Sequence, residues 1–487
     1  MPHRRDAEQP GRRLGHNGAV IPIVTPSEMS DIDAQAPEPT EVLIRRAGGA
    51  VRREAIDLLG GTYGRRVVVL AGKGNNGNDG RMAAELLERS GVRTRVVEVT
   101  DLVPVGPQAP SGGDAWANSG ADTCDLLIDA AFGTGFRGTW EPPHQGAPPV
   151  LAVDIPSGVD GLTGEACGSP WHALRTVTFA ALKPGLVQGD GPAFAGEVVL
   201  ADIGLDVQRA SAHLVTDADV VAWIPARRSS DHKWNHAVWV VAGSAGMQGA
   251  GWLCARAAMR GGAGYVRASS PGVQQPQAPR EAVGYPLPET GWGADVAQRG
   301  SRFGCLVAGP GLGRGDGLRD ELVELCGAGV PVVLDADALV AVGAEPLPAS
   351  VTAASGAPGP GVVFTPHDGE FEALMGHRPG GDRLLAARSA AERHGVVVLL
   401  KGPTTVVAHP DGAALVVRSG DARLATAGSG DVLSGLIGAH IAAGADPFEA
   451  AGAAAHLHGR AAGVAGDNGV VAGDLAEVLG EARSLLL

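Results

Sequence analysis

Val67-Val68-Val69-Leu70-Ala71-Gly72-Lys73-Gly74-Asn75-Asn76-Gly77-Asn78-Asp79-Gly80 is the stretch that decides the fold. Its apolar opening reads as a strand buried on both faces. The glycines that follow let the backbone bend sharply and approach a ligand closely. A helix is expected from about residue 80 to residue 89, and a helix start offers free N–H groups and a positive dipole end to a phosphate. Strand, glycine turn and helix make the opening unit of a parallel α/β sheet.

The same alternation runs outward from this unit. Upstream, Val42, Leu43, Ala47, Val51, Ala55, Leu58 and Leu59 fit one face of a helix over 41–59. Downstream, apolar runs at 92–99, 125–130, 150–153 and 176–181 read as further strands. Residues 102–121 are rich in Pro, Gly and Ser, with room for a short helix. A second α/β pattern begins after Ile224-Pro225-Ala226-Arg227-Arg228, with strands expected at 237–242, 305–308, 332–335, 362–365 and 396–400. Residues 344–361 read as a loop and 431–465 as two Ala-rich helices. The expectation is an α/β protein of two domains: a disordered leader (1–20), a Rossmann-like three-layer sandwich (21–213), a linker and domain entry (214–236), and a second α/β domain (237–487).

Composition narrows the function. The chain has 487 residues, 44% of them apolar, enough for two cores, and its 74 glycines suit many tight strand-to-helix turns. A net charge of −14 with no basic stripe argues against nucleic acid and anionic membranes as partners. No apolar run has the length of a membrane span, and none follows the N-terminal arginines as a signal peptide would require. The five cysteines are scattered, with no Cys-x-x-Cys pair, which points to the reducing cytoplasm.

Gly72, Gly74 and Gly77 satisfy Gly-x-Gly-x-x-Gly, and Glu98 stands about where an acidic ribose partner would, so a dehydrogenase is a rival reading. A Walker loop is excluded, because Asn78 rather than lysine follows Gly77. Asn75, Asn76, Asn78 and Asp79 crowd one turn. One of them would cap the helix; all together suggest a ligand or a cation. Asp129 and Asp154 end two later strands, and ligands in open parallel sheets lie at such ends. Asn76, Asp129 and Ser157 could offer oxygens to a hard or monovalent cation, and Asp154 could serve as an acid–base group. Capping its own turn is the more common role for a lone aspartate after a strand.

These motifs, with Asp129-Ala130-Ala131-Phe132-Gly133-Thr134-Gly135, Asp154-Ile155-Pro156-Ser157-Gly158 and Ala181-Leu182-Lys183-Pro184-Gly185, resemble the NAD(P)HX epimerase domain over roughly residues 40–206. The resemblance implies that Asn75, Asn76, Gly77, Asn78 and Asp79, the loop Gly133, Thr134, Gly135, Phe136, Arg137, Gly138 and Thr139, and Asp154 hold the hydrated cofactor. It implies K+ bound by Asn76, Asp129 and Ser157, and epimer exchange at the hydrated carbon with Asp154 catalytic. Two departures stand out: Asn78 replaces a usual glycine, and Ile44-Arg45-Arg46-Ala47-Gly48 replaces a usual Met-Glu-Asn-Ala-Gly.

In the second half, Ala427-Gly428-Ser429-Gly430-Asp431 opens an apolar helix. N–H groups at a helix start form an anion hole, and a first-turn carboxylate can take a proton from an attacking hydroxyl. A plain glycine turn capped by Asp431 is the competing reading. Gly243 to Gly251, Gly309-Pro310-Gly311-Leu312-Gly313, Asp335-Ala336-Asp337, Thr365-Pro366-His367-Asp368-Gly369-Glu370 and Lys401-Gly402-Pro403-Thr404-Thr405 follow successive strands. Singly, His367 is more often a loop histidine and Asp337 a structural cap. Together they resemble the ADP/ATP-dependent NAD(P)HX dehydratase of the ribokinase-like superfamily, from about His232 to the C-terminus. By that resemblance Gly251, Gly311, His367 and Asp431 contact the hydrate, while Lys401, Gly402, Pro403, Thr404, Thr405 and Gly430 contact ADP or ATP with Mg2+. Gly251 and Pro403 stand where alanine is usual. Asp431 would then help the ring hydroxyl attack the terminal phosphate, converting hydroxide into a better leaving group.

The expected partners are therefore NADHX or NADPHX and ADP or ATP, and a homo-oligomer is expected. A small-molecule kinase of the same superfamily fused to a degenerate dinucleotide-binding domain is the main alternative. A non-catalytic dinucleotide sensor and a dehydrogenase follow.

Overall fold

A computed structural model describes residues 21–102, 123–142, 148–352 and 361–486. The expected leader over 1–20 and most of the variable segment over 102–121 lie outside the described residues. The chain divides into two compact units between Ser211 and Ala212.

The first unit opens with β1 (Ile21–Ile23), helix α1 (Pro26–Ala34) and helix α2 (Thr40–Leu59). Thr25 and Glu28 form a reciprocal capping box that fixes the start of α1, and Gly60 ends α2 at φ 64°. Then come β2 (Arg66–Ala71), α3 (Asn75–Arg89), β3 (Arg93–Glu98), β4 (Leu126–Ala130), β5 (Val150–Val153), β6 (Arg175–Phe179) and β7 (Glu197–Ala201). The sheet order is β3-β2-β4-β5-β6-β7, all parallel. Alternate residues of β2 face opposite layers. Val67 and Val69 pack with Val51, Ala83 and Leu87 of α2 and α3, while Val68 and Leu70 pack with Leu127, Trp140 and Trp171. Both faces are covered, which is why β2 reads as a continuous apolar run.

The helix α3 begins at Asn75, five residues before the expected start at Gly80. The polar Asn-rich turn is therefore its first turn and not a loop ahead of it. β7 escaped the sequence reading because its run is short and only partly buried.

The second unit contains β8 (Ala212–Leu214), β9 (Ala237–Val241), β10 (Tyr265–Ser269), β11 (Val283–Gly284), β12 (Cys305–Ala308), β13 (Val332–Leu334), β14 (Val362–Phe364), β15 (Val397–Leu400), β16 (Thr405–Ala408) and β17 (Ala414–Val417). Their order is β8-β17-β16-β15-β14-β13-β12-β9-β10-β11, with β15–β16 and β16–β17 antiparallel and the remaining pairs parallel. Residues 214–236 were expected to be linker and domain entry. Ala212 to Leu214 pairs with β17 instead, and the Asp217–Trp223 helix follows, capped reciprocally by Thr216 and Asp219. A three-residue strand leaves too short an apolar pattern to see in sequence. Helices Gln248–Arg260, Ser429–Ala442, Pro447–Ala465 and Ala472–Ser484 share one core with Val238, Val240 and Val307.

Candidate active sites

In the first unit a cavity of about 570 Å³ lies at the carboxyl ends of the central strands. Met29 and Asp33 of α1 and Leu43, Ile44 and Ala47 of α2 wall one side. Lys73, Asn75, Asn76, Asp79, Gly133, Thr134, Gly135, Phe136 and Asp154 enter from the strand ends. The turn is tight enough to require glycine: a Cβ on Gly72 would sit 1.9 Å from the Ala131 carbonyl, and one on Gly77 1.9 Å from the Gly72 carbonyl.

None of the four polar residues of the turn caps α3, whose N-cap is Gly74 without a side-chain bond. Asn76 Nδ2 donates to the Phe132 carbonyl at 2.9 Å, and its Oδ1 is buried with no hydrogen-bond partner. Asn78 turns to Arg81, whose Nη1 donates to it at 3.1 Å; the same guanidinium donates to Glu98 at 3.0 and 2.5 Å and to the Gly72 carbonyl at 2.8 Å. Glu98 is thus engaged by Arg81, and Asn78 lies outside the cavity lining. The second departure divides likewise: Ile44 lines the cavity, whereas Arg46 reaches Glu38 and the Ile203 carbonyl. Gly77, Arg137, Gly138 and Thr139 also lie outside the lining, and Arg137 stands 3.8 Å from Asp160.

Asp154 sits at φ 66°, a conformation costing a non-glycine residue about 1–3 kcal/mol, and neighbours hold it there. Lys183 Nζ lies 2.6 Å from Asp154 Oδ1, and Thr178 Oγ1 donates to the same oxygen at 3.1 Å. Lys183 is 1% exposed and also donates to Thr178 and to the carbonyls of Phe179 and Ala181. A buried ammonium needs such partners. Asp129 is buried, accepting from Ser157 N at 2.9 Å and Ser157 Oγ at 2.6 Å. Burial pushes its carboxyl up against the lowering effect of those bonds. Phe132 ties the group together, its N–H donating to Ser157 Oγ at 2.9 Å and its carbonyl accepting from Asn76. Asp33 and Lys183 escaped the sequence reading as site residues. The Leu-Lys-Pro-Gly motif was visible, but nothing local says that its lysine bends back beneath a strand end.

In the second unit the strand ends bring together Asp335, Glu370, Lys401 and Asp431. Lys401 Nζ lies 2.5 Å from Asp335 Oδ1, and Ser434 Oγ donates to the other oxygen at 2.7 Å. Burial acts to lower the lysine, but Asp335 and Glu370 outweigh it and raise it. Asp431, in the first turn of the Ser429–Ala442 helix, is pushed up to about 7 by burial and then by Asp335, against the pull of Lys401. Gly430 leaves room for the lysine, since a Cβ there would lie 3.2 Å from its Nζ.

The Gly-rich turn after β9 meets the Gly-Pro-Gly loop after β12: a Cβ on Gly311 would stand 3.2 Å from that of Ala250. Gly251 packs on the end of β9, its notional Cβ 2.9 Å from the Ala242 carbonyl. Asp337 accepts from Gly313 N at 2.9 Å and so fixes the same loop. His367 caps the Asp368–Met375 helix, Nδ1 accepting from Gly369 and Glu370 N–H, and it stays 61% exposed. Its neighbour Pro366 accepts from Lys401 N at 2.8 Å, so His367, Lys401 and Asp431 share one end of the sheet. In the Lys401 to Thr405 loop, Arg383 donates to the Lys401 carbonyl at 2.5 Å and packs over Gly402. Pro403 is exposed, Thr404 is buried, and Thr405 opens β16.

Two α/β units, each with a buried carboxylate–lysine pair at its strand ends, have the architecture of a two-domain enzyme. Residues 40–185 match the family model described as YjeF-related protein N-terminus, and residues 238–484 match NAD(P)H-hydrate dehydratase. The bifunctional NAD(P)H-hydrate repair enzyme of Mycobacterium tuberculosis is 38% identical over 431 residues, covering 85% of this chain and 87% of the relative. That of Escherichia coli K12 is 33% identical over 443 residues, covering 82% and 81%. The ADP/ATP-dependent NAD(P)H-hydrate dehydratase of Bacillus subtilis, crystallised with ATP/Mg2+, aligns at TM-score 0.48 and 27% identity over 56% of this chain and 98% of that one. The chain belongs to the family of bifunctional NAD(P)H-hydrate repair enzymes.

Proposed function

We propose that the first unit exchanges the R and S epimers of NADHX and NADPHX, and that the second uses ADP or ATP to dehydrate the S form. The observation that carries this reading is Asp431: a carboxyl raised to about 7, beside a buried lysine, at the start of a glycine-opened helix. A base acts best when it titrates near the working pH. Asp431 takes the proton of the ring hydroxyl as that oxygen bonds to the terminal phosphorus. Lys401 and the N–H groups at Ser429 and Gly430 face the phosphates. Phosphate then leaves the ring carbon with its bonding electrons, a proton leaves the neighbouring carbon, and the ring double bond reforms. Magnesium would arrive on the nucleotide phosphates, neutralising their charge. Among the described residues no group of three His, Cys, Asp or Glu could hold an ion.

In the first unit, Asp154 is the group we assign to proton transfer, with the Asn75 to Asp79 turn and the Gly133 to Thr139 loop holding substrate. Potassium suits the oxygens of Asn76, Asp129 and Ser157, because Asn76 Oδ1 is buried without a partner beside a buried carboxylate. Bound there, it would offset the Asp129 charge and pin the Gly-Thr-Gly loop. For the second unit, Gly251, Gly311 and His367 are assigned to the hydrate, and the 401–405 loop with Gly430 to the nucleotide. We read the enzyme as a cytoplasmic homo-oligomer that binds neither nucleic acid nor membrane. The five cysteines are free, and no helix among the described residues is long and apolar enough to cross a membrane. Sedimentation velocity tests the assembly.

The decisive experiment supplies mixed epimers to the full chain with ADP or ATP. Complete recovery of NADH absorbance, faster than spontaneous epimerisation allows, is expected. A halt when the S form is exhausted would remove the epimerase half of the reading. A stable phosphorylated product would favour the kinase alternative.

A further inference from the structure

We propose that Asp79 is the general acid of the first unit's reaction, working opposite Asp154 as its base. This rests on the epimerase reading and deepens it by dividing the proton transfers between two carboxyl groups. Their surroundings differ. Asp154 Oδ1 is fixed by Lys183 at 2.6 Å and Thr178 at 3.1 Å, while Oδ2 points past Gly133, whose notional Cβ would lie 3.9 Å away. Asp79 is 8% exposed, lines the same cavity, and has no hydrogen-bond or ion-pair partner among the described residues. An unpaired carboxyl at that depth favours its neutral form, the form that donates a proton.

The charged groups acting on Asp79 come from three elements: Asp154 beyond β5, Asp33 of α1 and Lys183 beyond β6. Burial raises the Asp79 carboxyl, Asp154 and Asp33 raise it further, and Lys183 pulls it back, leaving it at about 8. Among the described residues the remaining walls are uncharged there: α2 gives Thr40, Leu43, Ile44 and Ala47, and the stretch after β3 gives Val99 and Thr100. Lys73, on the same loop, is exposed. A buried carboxyl left without a partner, facing one fixed by a buried lysine, is the arrangement an acid–base division needs.

The chemistry then balances without water or any redox partner. The hydrated carbon bears a hydroxyl and is bonded to the ring nitrogen. Asp154 Oδ2 takes the hydroxyl proton, the oxygen's electron pair forms a carbonyl, and the carbon–nitrogen bond breaks. Asp79 gives its proton to the nitrogen that keeps the bonding pair. The open-chain aldehyde rotates, the nitrogen adds to its other face, Asp79 recovers its proton from nitrogen, and Asp154 returns one to oxygen. The product is the opposite epimer.

The test follows R–S interconversion of NADHX by the full chain without nucleotide. Asp79→Asn is expected to lower kcat about 100-fold or more while KM stays within about threefold, as loss of a general acid should. It should also abolish the decline in wild-type rate above about pH 8. A kcat within threefold of wild type, or a persisting alkaline decline, overturns the assignment. If Asp79→Asn does not fold, Asp79→Glu carries the test: its alkaline limb must move with the new carboxyl, and an unmoved limb overturns the proposal. A wild-type chain with no exchange above the spontaneous rate would instead sink the epimerase reading itself.

Discussion

Replacing Asp431 by asparagine should abolish dehydration and, at alkaline pH, make the second unit more stable. The carboxyl rises from 3.8 to about 7 in the fold, chiefly through burial and then through Asp335. At about 1.36 kcal/mol per pH unit, that displacement corresponds to about 4 kcal/mol. Partial exposure and relaxation reduce the usable figure to about 2 kcal/mol. The sign follows from proton affinity. The folded carboxyl holds its proton more tightly than the unfolded one, so this group's stabilising contribution is complete below about pH 4 and lost as pH rises through about 7. Asparagine cannot ionise and escapes the loss, while Lys401 keeps its partner Asp335. Thermal melts of the full chain at pH 5 and pH 8 measure the effect. The transition of the second unit should rise by about 5 °C over wild type at pH 8, with a clearly smaller gain at pH 5. Nucleotide-dependent NADH formation should fall at least about 100-fold. An equal gain at both pH values, or a loss at pH 8, would refute the claim that this aspartate is held against its charge. Near-normal turnover would remove it from the mechanism.

Dehydratase kcat/KM should decline on the acid side below about pH 7, where Asp431 carries a proton and cannot accept another; a flat profile down to pH 5.5 would contradict this. Replacing K+ by Li+ should slow epimer exchange while leaving dehydration of purified S hydrate unchanged, and Asn76→Ala should erase the difference between the ions. Gly72→Ala should destabilise the first unit by about 1–3 kcal/mol in urea titrations, since its Cβ would meet the Ala131 carbonyl at 1.9 Å; an unchanged midpoint would show that the turn can move.

The alternation of apolar runs with glycine turns gave the α/β class and the central strands of both sheets. That works because a strand covered on both faces must be apolar throughout, as Val67 to Ala71 and Val397 to Leu400 are. Very short strands leave too little pattern for such a reading, and β8 and β11 were missed for that reason. The Asn-rich turn was legible as a site but misread as a loop. Asparagine and glycine are poor helix formers, and only the packing of α3 on α2 and β2 makes that turn helical. Asn78, a departure in sequence, accepts from Arg81 and lies outside the cavity lining.

By itself the sequence determined the α/β alternation and the candidate motifs at the strand ends, because glycine turns, carboxylates after strands and helix-opening motifs are local and follow from backbone sterics. Tertiary structure alone decided how those residues are charged and paired. Lys183 is distant in sequence from Asp154, and Lys401 from Asp335 and Asp431. Only the parallel sheet, by aligning its carboxyl ends, brings each lysine onto its carboxylate and leaves Asp79 buried with none.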